Sequence, residues 1–326
     1  MKLIKPKFEI TEQASGIFGI LKHIERCGRV CYKSEDKITP YSSRKFVERL
    51  KESQHLSVLE HGTVYLYFHV TDPSEVGEDE YHGQQTIMDE LVKRYSCNKF
   101  SVVKTTHYYD TAFITTNYRV IIENGWESDL QYECEPTEFH EKRVTVRFTT
   151  DIGISREFNR HRVNSISEQS TRYCNYSKDK FGNEISVVPP TKARSNAEKA
   201  LESGIDFFSN ENNFFSNMCG VVMEITRDAE SEDSFIAFTD IDTWLFANLS
   251  VQWAYMRLTS VFGWSAQEAR SILPLDTQTE FYHTAFVKDW ENFFKLRCDS
   301  HAHPMARELA IPLREEFVKR GLIKEK

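Results

Sequence analysis

What most constrains this chain of 326 residues is the segregation of its two hydrophobic periodicities along the sequence. Thr63–Val70 (TVYLYFHV) and Arg143–Phe148 (RVTVRF) are rich in β-branched and aromatic residues, with Val144, Val146 and Phe148 alternating with polar ones, which predicts strands. Ahead of them, Ile17, Phe18, Ile20, Leu21 and Ile24 recur at helical spacing. SSRKFVERLKES predicts a second helix, capped by Ser42 or Ser43, with Phe46, Val47 and Leu50 on one face. After Pro189 and Pro190 the pattern reads as helical to the end, with breaks near Gly204, Gly263 and Pro274. Regular strand–helix alternation is absent, as is any repeat at a period of about 20–50 residues. The expected class is therefore α+β, a mixed sheet flanked by helices, within a single domain over residues 1–326. Residues 71–142 read as an inserted, strand-rich segment or elaborated subdomain. It opens with the acidic, irregular passage DPSEVGEDEYHGQQ and continues through strand-like runs near Phe100–Tyr109 and Thr111–Ile122.

Composition narrows the partners. The balance of 41 Lys+Arg against 49 Asp+Glu argues against a broad basic face for nucleic acid or an anionic membrane, so any anion site must be local. No run of about eighteen apolar residues occurs, and the basic start MKLIKPKFEITEQ leads into no apolar stretch. The expectation is a soluble, cytoplasmic protein. Its 7 cysteines (Cys27, Cys31, Cys97, Cys134, Cys174, Cys219, Cys298) are odd in number and lack a C-x-x-C framework, which predicts reduced thiols. Neither G-x-G-x-x-G nor a Walker-type loop is present, so a Rossmann or P-loop nucleotide site has no support.

Chemistry concentrates in SREFNRHRVNSISEQSTRYCNYSK, residues 155–178. Arg156, Arg160, Arg162 and Arg172 stand beside His161, opposed only by Glu157 and Glu168. If 155–163 is helical, Arg156 and Arg160 stack at i, i+4, and guanidiniums so placed form bidentate bonds to phosphate oxygens. The run 164–177 offers Ser165, Ser167, Gln169, Ser170, Thr171, Asn175 and Ser177 with hardly an apolar residue, as expected of a loop lining a polar pocket. The alternative is a solvated helix face whose arginines pair with nearby carboxylates.

Arg160-His161-Arg162, seven residues, then Ser170 resembles the R-H-R-x7-S signature of the flavin-dependent thymidylate synthases, the ThyX family, and Glu168, Arg172 and Tyr173 match its longer form. SVLEHGT, ending near His61, and the block 268–303, with Arg270, Pro274, Asn292, Arg297, Asp299, Ser300 and His301, resemble two further family segments in the expected order. Together they cover roughly residues 15–70 and 143–315 and leave 71–142 unexplained. The resemblance implies a ThyX-like fold and a homotetramer with shared active sites, binding FAD, dUMP, methylenetetrahydrofolate and NADPH for reductive methylation of dUMP to dTMP. Arg160, His161 and Arg162 would hold FAD, with His61, Asn292 and His301 near the flavin ring and Glu168 close by. Ser170, Arg172, Arg270 and Arg297 would hold dUMP, with Glu168 and Arg156 lining that pocket. His61, Ser170 and Arg297 would be the residues closest to catalysis. Flavin would carry the redox chemistry while the protein orients it.

Several side chains have plainer readings. Cys174 is the tempting thiol but reads as a packing residue, and Ser170 as a hydrogen-bond donor, because no His–Asp relay is spaced for it. The His301-x-His303 pair and His23, Cys27 and Cys31 at helical spacing lack a full ligand set, so no metal is expected. FYHTAF and WENFF (281–294) read as core. Four positions depart from the family pattern: Ser167 and Glu157, where Asn and Gln are common, and Phe286 and Lys288, where Asn and Arg are often found. Those departures motivate two alternatives: a relative acting on another pyrimidine nucleotide, or a catalytically silent nucleotide-binding protein.

Overall fold

The computed structural model describes residues 1–106, 110–202 and 240–325. In chain order its first half holds β1 (Lys2–Leu3), β2 (Lys7–Thr11), α1 (Gly16–Arg29), α2 (Ser42–Glu52), β3 (Thr63–His69), α3 (Pro73–Val76), α4 (Glu78–Ser96), β4 (Val102–Thr105), β5 (Thr111–Asn117) and α5 (Tyr118–Asn124). Then come β6 (Arg143–Asp151), α6 (Ile152–Phe158), β7 (Ser165–Glu168), β8 (Ser186–Val187), α7 (Arg194–Glu202), α8 (Asp240–Ser260), α9 (Ala266–Ala269), β9 (Gln278–Phe286), α10 (Val287–Arg297) and α11 (Pro304–Lys319). The class is α+β, as the sequence predicts. Two compact units divide the chain: Met1–Lys5 with Asn175–Thr277, and Pro6–Cys174 with Gln278–Lys326.

The larger unit is organised by an antiparallel sheet in the order β2-β6-β9-β7. Because side chains alternate across a strand, its register sorts residues into two faces of opposite character. Phe8, Val146, Phe148, Phe281 and His283 share one face through the pairs Phe8↔Phe148, Phe148↔Phe281 and Val146↔His283. There Phe158 of α6 meets Phe148 at 5.1 Å, Phe293 of α10 meets Phe158 at 4.8 Å, and Phe317 of α11 meets Trp290 at 5.5 Å. Thr145, Arg147 and Thr149 point the other way, level with Thr284, Tyr282 and Glu280 of β9 and then Ser165 and Ser167 of β7. This polar face is also buried, beneath α1 and the turn Leu56–His61, so its hydroxyls must pair with one another and with the histidines above them.

The reading of helix to the C-terminus is corrected at β9, an inner strand of this sheet. QTEFYHTAF is buried on both faces, and its aromatic residues are core, as are Trp290, Phe293 and Phe294. Residues 71–142 supply two strands of a second sheet and a helix packed on it. The sheet β3-β5-β4 packs Val64, Leu66, Ala112 and Ile114 into one cluster with Ile20, Leu21 and Ile24 of α1, Val47 of α2 and Met88, Leu91 and Tyr95 of α4. The passage thus shares the core of the first seventy residues. DPSEVGEDEYHGQQ is helical: Pro73 begins α3, and Glu78, Asp79 and Glu80 occupy the first turn of α4, where the helix dipole favours them. Of the run expected near 100–109, β4 covers 102–105 and residues 107–109 lie outside the described residues, as do Gly204 and Cys219. The cap of α2 is Tyr41, while Ser42 Oγ accepts from Thr39 N at 2.9 Å.

The smaller unit pairs β1 with β8 in parallel and gathers Tyr176, Ile185, Val187, Tyr255 and Ala269 into a core. Its α9 opens with a reciprocal capping box between Ser265 and Glu268, and Arg270 follows directly, exposed. Among the described residues Cys27, Cys31, Cys97, Cys134, Cys174 and Cys298 form no disulfide, and Cys174 is buried. Among the described residues no helix is long and apolar enough to cross a membrane.

Candidate functional site

Asp151 ends β6 and begins α6, its Oδ1 accepting from Ile154 N at 2.8 Å. The helix stops at Phe158, short of the expected 155–163, because β7 must pair with β9 from Ser165 and residues 159–164 reverse the chain. Arg160 therefore sits in a turn and does not stack on Arg156. The run expected to be a polar loop contains β7, whose serines face the buried polar side of the sheet.

Two hydrogen-bonded networks shape this turn. In one, Arg297 at the end of α10 donates from Nε to His161 Nε2 (3.1 Å), from Nη1 to Glu157 Oε2 (3.1 Å) and from Nη2 to the Glu157 carbonyl (2.6 Å). Since a guanidinium can only donate, His161 is unprotonated at Nε2. Burial, then the Arg297 charge, pulls His161 down to about 4, so the ring is neutral near pH 7. In the other, Glu168 accepts from Asn159 Nδ2 (2.8 Å) and Thr279 Oγ1 (3.0 Å), while His283 bonds Asn159 Oδ1 (3.1 Å) and Asn164 Nδ2 (3.3 Å). Burial lowers His283 to about 3. The carboxylates of the stretch are thus engaged inside the chain, whereas Arg156, Arg160 and Arg162 are exposed and make no ion pair among the described residues.

Ser170 lies just beyond β7. Its N–H donates to the Cys31 carbonyl at 3.0 Å, and its hydroxyl accepts from Arg172 N at 3.3 Å. Arg172 lies over the Tyr173 ring at 5.3 Å, and Tyr173 meets Tyr32 at 4.9 Å.

Other sequence-selected residues fall elsewhere. His61, expected near the flavin ring, lies in the interior: it is 0% exposed, with Nδ1 bonded to Thr284 Oγ1 (2.8 Å) and Nε2 to Ser167 Oγ (3.0 Å). Neither nitrogen is left for a ligand, and burial holds the ring well below its ordinary value. Arg297 is half-buried and uses three of its five N–H donors within the chain. Asn292 is exposed on α10 and lines a cavity of about 660 Å³ with Lys295, Cys298 and Arg314. His301, its side chain 95% exposed, bonds Asp299 at 2.8 Å, and His303 caps α11. Arg270 belongs to the smaller unit. Phe286 is buried, with Arg143 at 5.6 Å and Lys288 at 5.3 Å from its ring centre.

Sequence reasoning missed Asn159, Asn164, Thr279 and His283, which orient Glu168. No period in QTEFYHTAF signalled them; it is the strand register that puts His283 on the face of Phe281.

Residues 133–320, more than half of the chain, match the family described as thymidylate synthase complementing protein (Thy1), and the chain belongs to that family. A flavin-dependent thymidylate synthase of Synechocystis sp. is 43% identical over 51 residues, 16% of this chain and 24% of that protein. One from Thermosipho melanesiensis is 24% identical over 181 residues, 56% of this chain and 65% of that protein. The chain thus spans about a quarter and just under two thirds of the lengths of these relatives. A UMP/dUMP methylase PolB from Streptomyces cacaoi bound with 5-Br dUMP aligns over 98% of this chain and 93% of its own, at 15% identity and a TM-score of 0.36. The same methylase bound with 5-Br UMP gives 14% identity over 98% and 91%, with a TM-score of 0.38.

Proposed function

We propose that the protein is a flavin-dependent thymidylate synthase, converting dUMP to dTMP with methylenetetrahydrofolate as one-carbon donor and NADPH as reductant. The supporting observation is the split in commitment among the charges of 155–172. Glu157 and Glu168 are tied up inside the chain, while Arg156, Arg160 and Arg162 present exposed charge in a protein that is acidic overall. Such guanidiniums fit the phosphates of FAD and a nucleotide. Arg160 and Arg162 would hold FAD, flanking the neutral His161, whose ring is fixed by Arg297 and Phe293. The flavin, when bound, supplies the redox chemistry. Ser170 and Arg172 would hold dUMP, with Arg156 and Glu168 lining that site and Arg297 reaching it through its remaining N–H groups. Asn292, His301 and Arg270 are proposed to join from the surface, Arg270 within a homotetramer whose subunits share sites. The working compartment would be the cytoplasm.

The deciding experiment is an FAD titration of purified protein followed by turnover of dUMP. Saturable binding near one FAD per chain, with dTMP formed only when folate donor and NADPH are present, is the expected outcome. Folded protein that binds no flavin would overturn the proposal. Phe286, buried beneath two cations where an amide is common in the family, favours a second reading, turnover of another pyrimidine nucleotide. Faster conversion of UMP or dCMP than of dUMP would select it.

A further inference from the structure

A line of hydrogen bonds crosses the buried polar face of the large sheet. His23 Nε2 meets Thr145 Oγ1 at 2.9 Å, Thr145 Oγ1 meets Thr284 Oγ1 at 2.7 Å, Thr284 Oγ1 meets His61 Nδ1 at 2.8 Å, and His61 Nε2 meets Ser167 Oγ at 3.0 Å. Ser167 in turn faces the Cys31 thiol. His23, Thr145, His61, Ser167 and Thr284 are all buried, so water does not complete these bonds.

Each hydroxyl carries one proton, and each threonine has a partner on both sides. If Thr145 donates to Thr284, His23 must donate from Nε2, Thr284 must donate to His61 Nδ1, and His61 must donate from Nε2. If Thr284 donates to Thr145 instead, every bond reverses and both rings carry their proton on Nδ1. With the rings neutral, the chain of bonds permits only matched tautomers. His23 and His61 are neutral because burial lowers both, His23 to about 3. His23 Nδ1, on the far side of the ring from Thr145, is buried and has no hydrogen-bond partner.

We propose that His23 and His61 are coupled positioning residues, locked into the same tautomer, which fix Ser167 and through it the segment that presents Ser170. Since Ser170 N–H also holds the Cys31 carbonyl, the turn Val30–Tyr32 grips the segment on both sides of Glu168. This inference rests on the proposed function only where it concerns dUMP.

The test has two arms on the full chain. Long-range proton–nitrogen NMR of protein labelled with 15N-histidine is expected to report the same nitrogen protonated in both rings. Unlike tautomers would overturn the proposal. Calorimetry with dUMP is expected to show affinity falling about tenfold in Thr284→Val, the scale of one hydrogen bond, and recovering in Thr284→Ser. Ser167→Ala, with Ser167→Thr as its rescue, guards against a Thr284 variant that fails to fold. Unchanged dUMP affinity in both Thr284→Val and Ser167→Ala would remove the positioning role. Wild-type protein that binds no dUMP would instead defeat the proposed function, and the NMR arm would still decide the hydrogen-bond chain.

Discussion

Arg160 and Arg297 are both guanidiniums of the resembled motifs, yet their surroundings give them different energetics. Arg160 is exposed and unpaired, and exposed charges contribute little to folding. Arg160→Ala should therefore weaken FAD binding by tenfold or more, roughly the worth of a charge-assisted hydrogen bond, with the apo melting temperature nearly unchanged. Arg297→Ala should cost about 2 kcal/mol of stability, because it strands Glu157 and His161 without their donor. Urea unfolding of the two apo variants separates these outcomes. The histidines make a second prediction at this scale. His23 and His283 are lowered to about 3 by burial, against an ordinary value near 6.5. Below about pH 6.5 the unfolded chain takes up protons that the folded chain refuses, so stability falls with pH at about 1.4 kcal/mol per unit for each. The urea midpoint should drop between pH 7 and 5, and His283→Gln should flatten that slope.

At the scale of elements, the turn before β3 depends on a glycine. A Cβ at Gly62 would lie 2.7 Å from Ile24 Cδ1 and 2.9 Å from Ile20 Cγ2, so only a hydrogen lets α1 close over the turn that carries His61. Gly62→Ala should cost about 1–3 kcal/mol, as overpacking does, read as a lowered melting temperature. The element pattern was legible where apolar and polar residues alternate regularly: α1, α2, β3 and β6 follow from period alone. It was not legible in β9, where both faces are buried and one is polar, so His283, Thr284 and Glu280 interrupt any simple hydrophobic signal. α4 was hidden in the same way, since acidic residues that suit a helix start resemble a loop when read by composition.

For the whole molecule, Arg270 belongs to the smaller unit and the arginines of 155–172 to the larger one. If the smaller unit contributes to the nucleotide site, Arg270→Ala should weaken dUMP while leaving FAD affinity and the melting temperature unchanged. Calorimetry with each ligand reads this directly, and equal dUMP affinity in variant and wild type would exclude that contribution. The sequence by itself determined the α+β class, the arginine-rich stretch with its serine partner, and the family, because these are carried by neighbours a few residues apart. Only the tertiary structure decided which charges remain available and which histidines are sealed inside. His61 meets Thr284 across 223 residues of sequence and Arg297 meets Glu157 across 140. Burial and pairing at such separations are set by how the sheet and helices close on each other, and no local pattern encodes them.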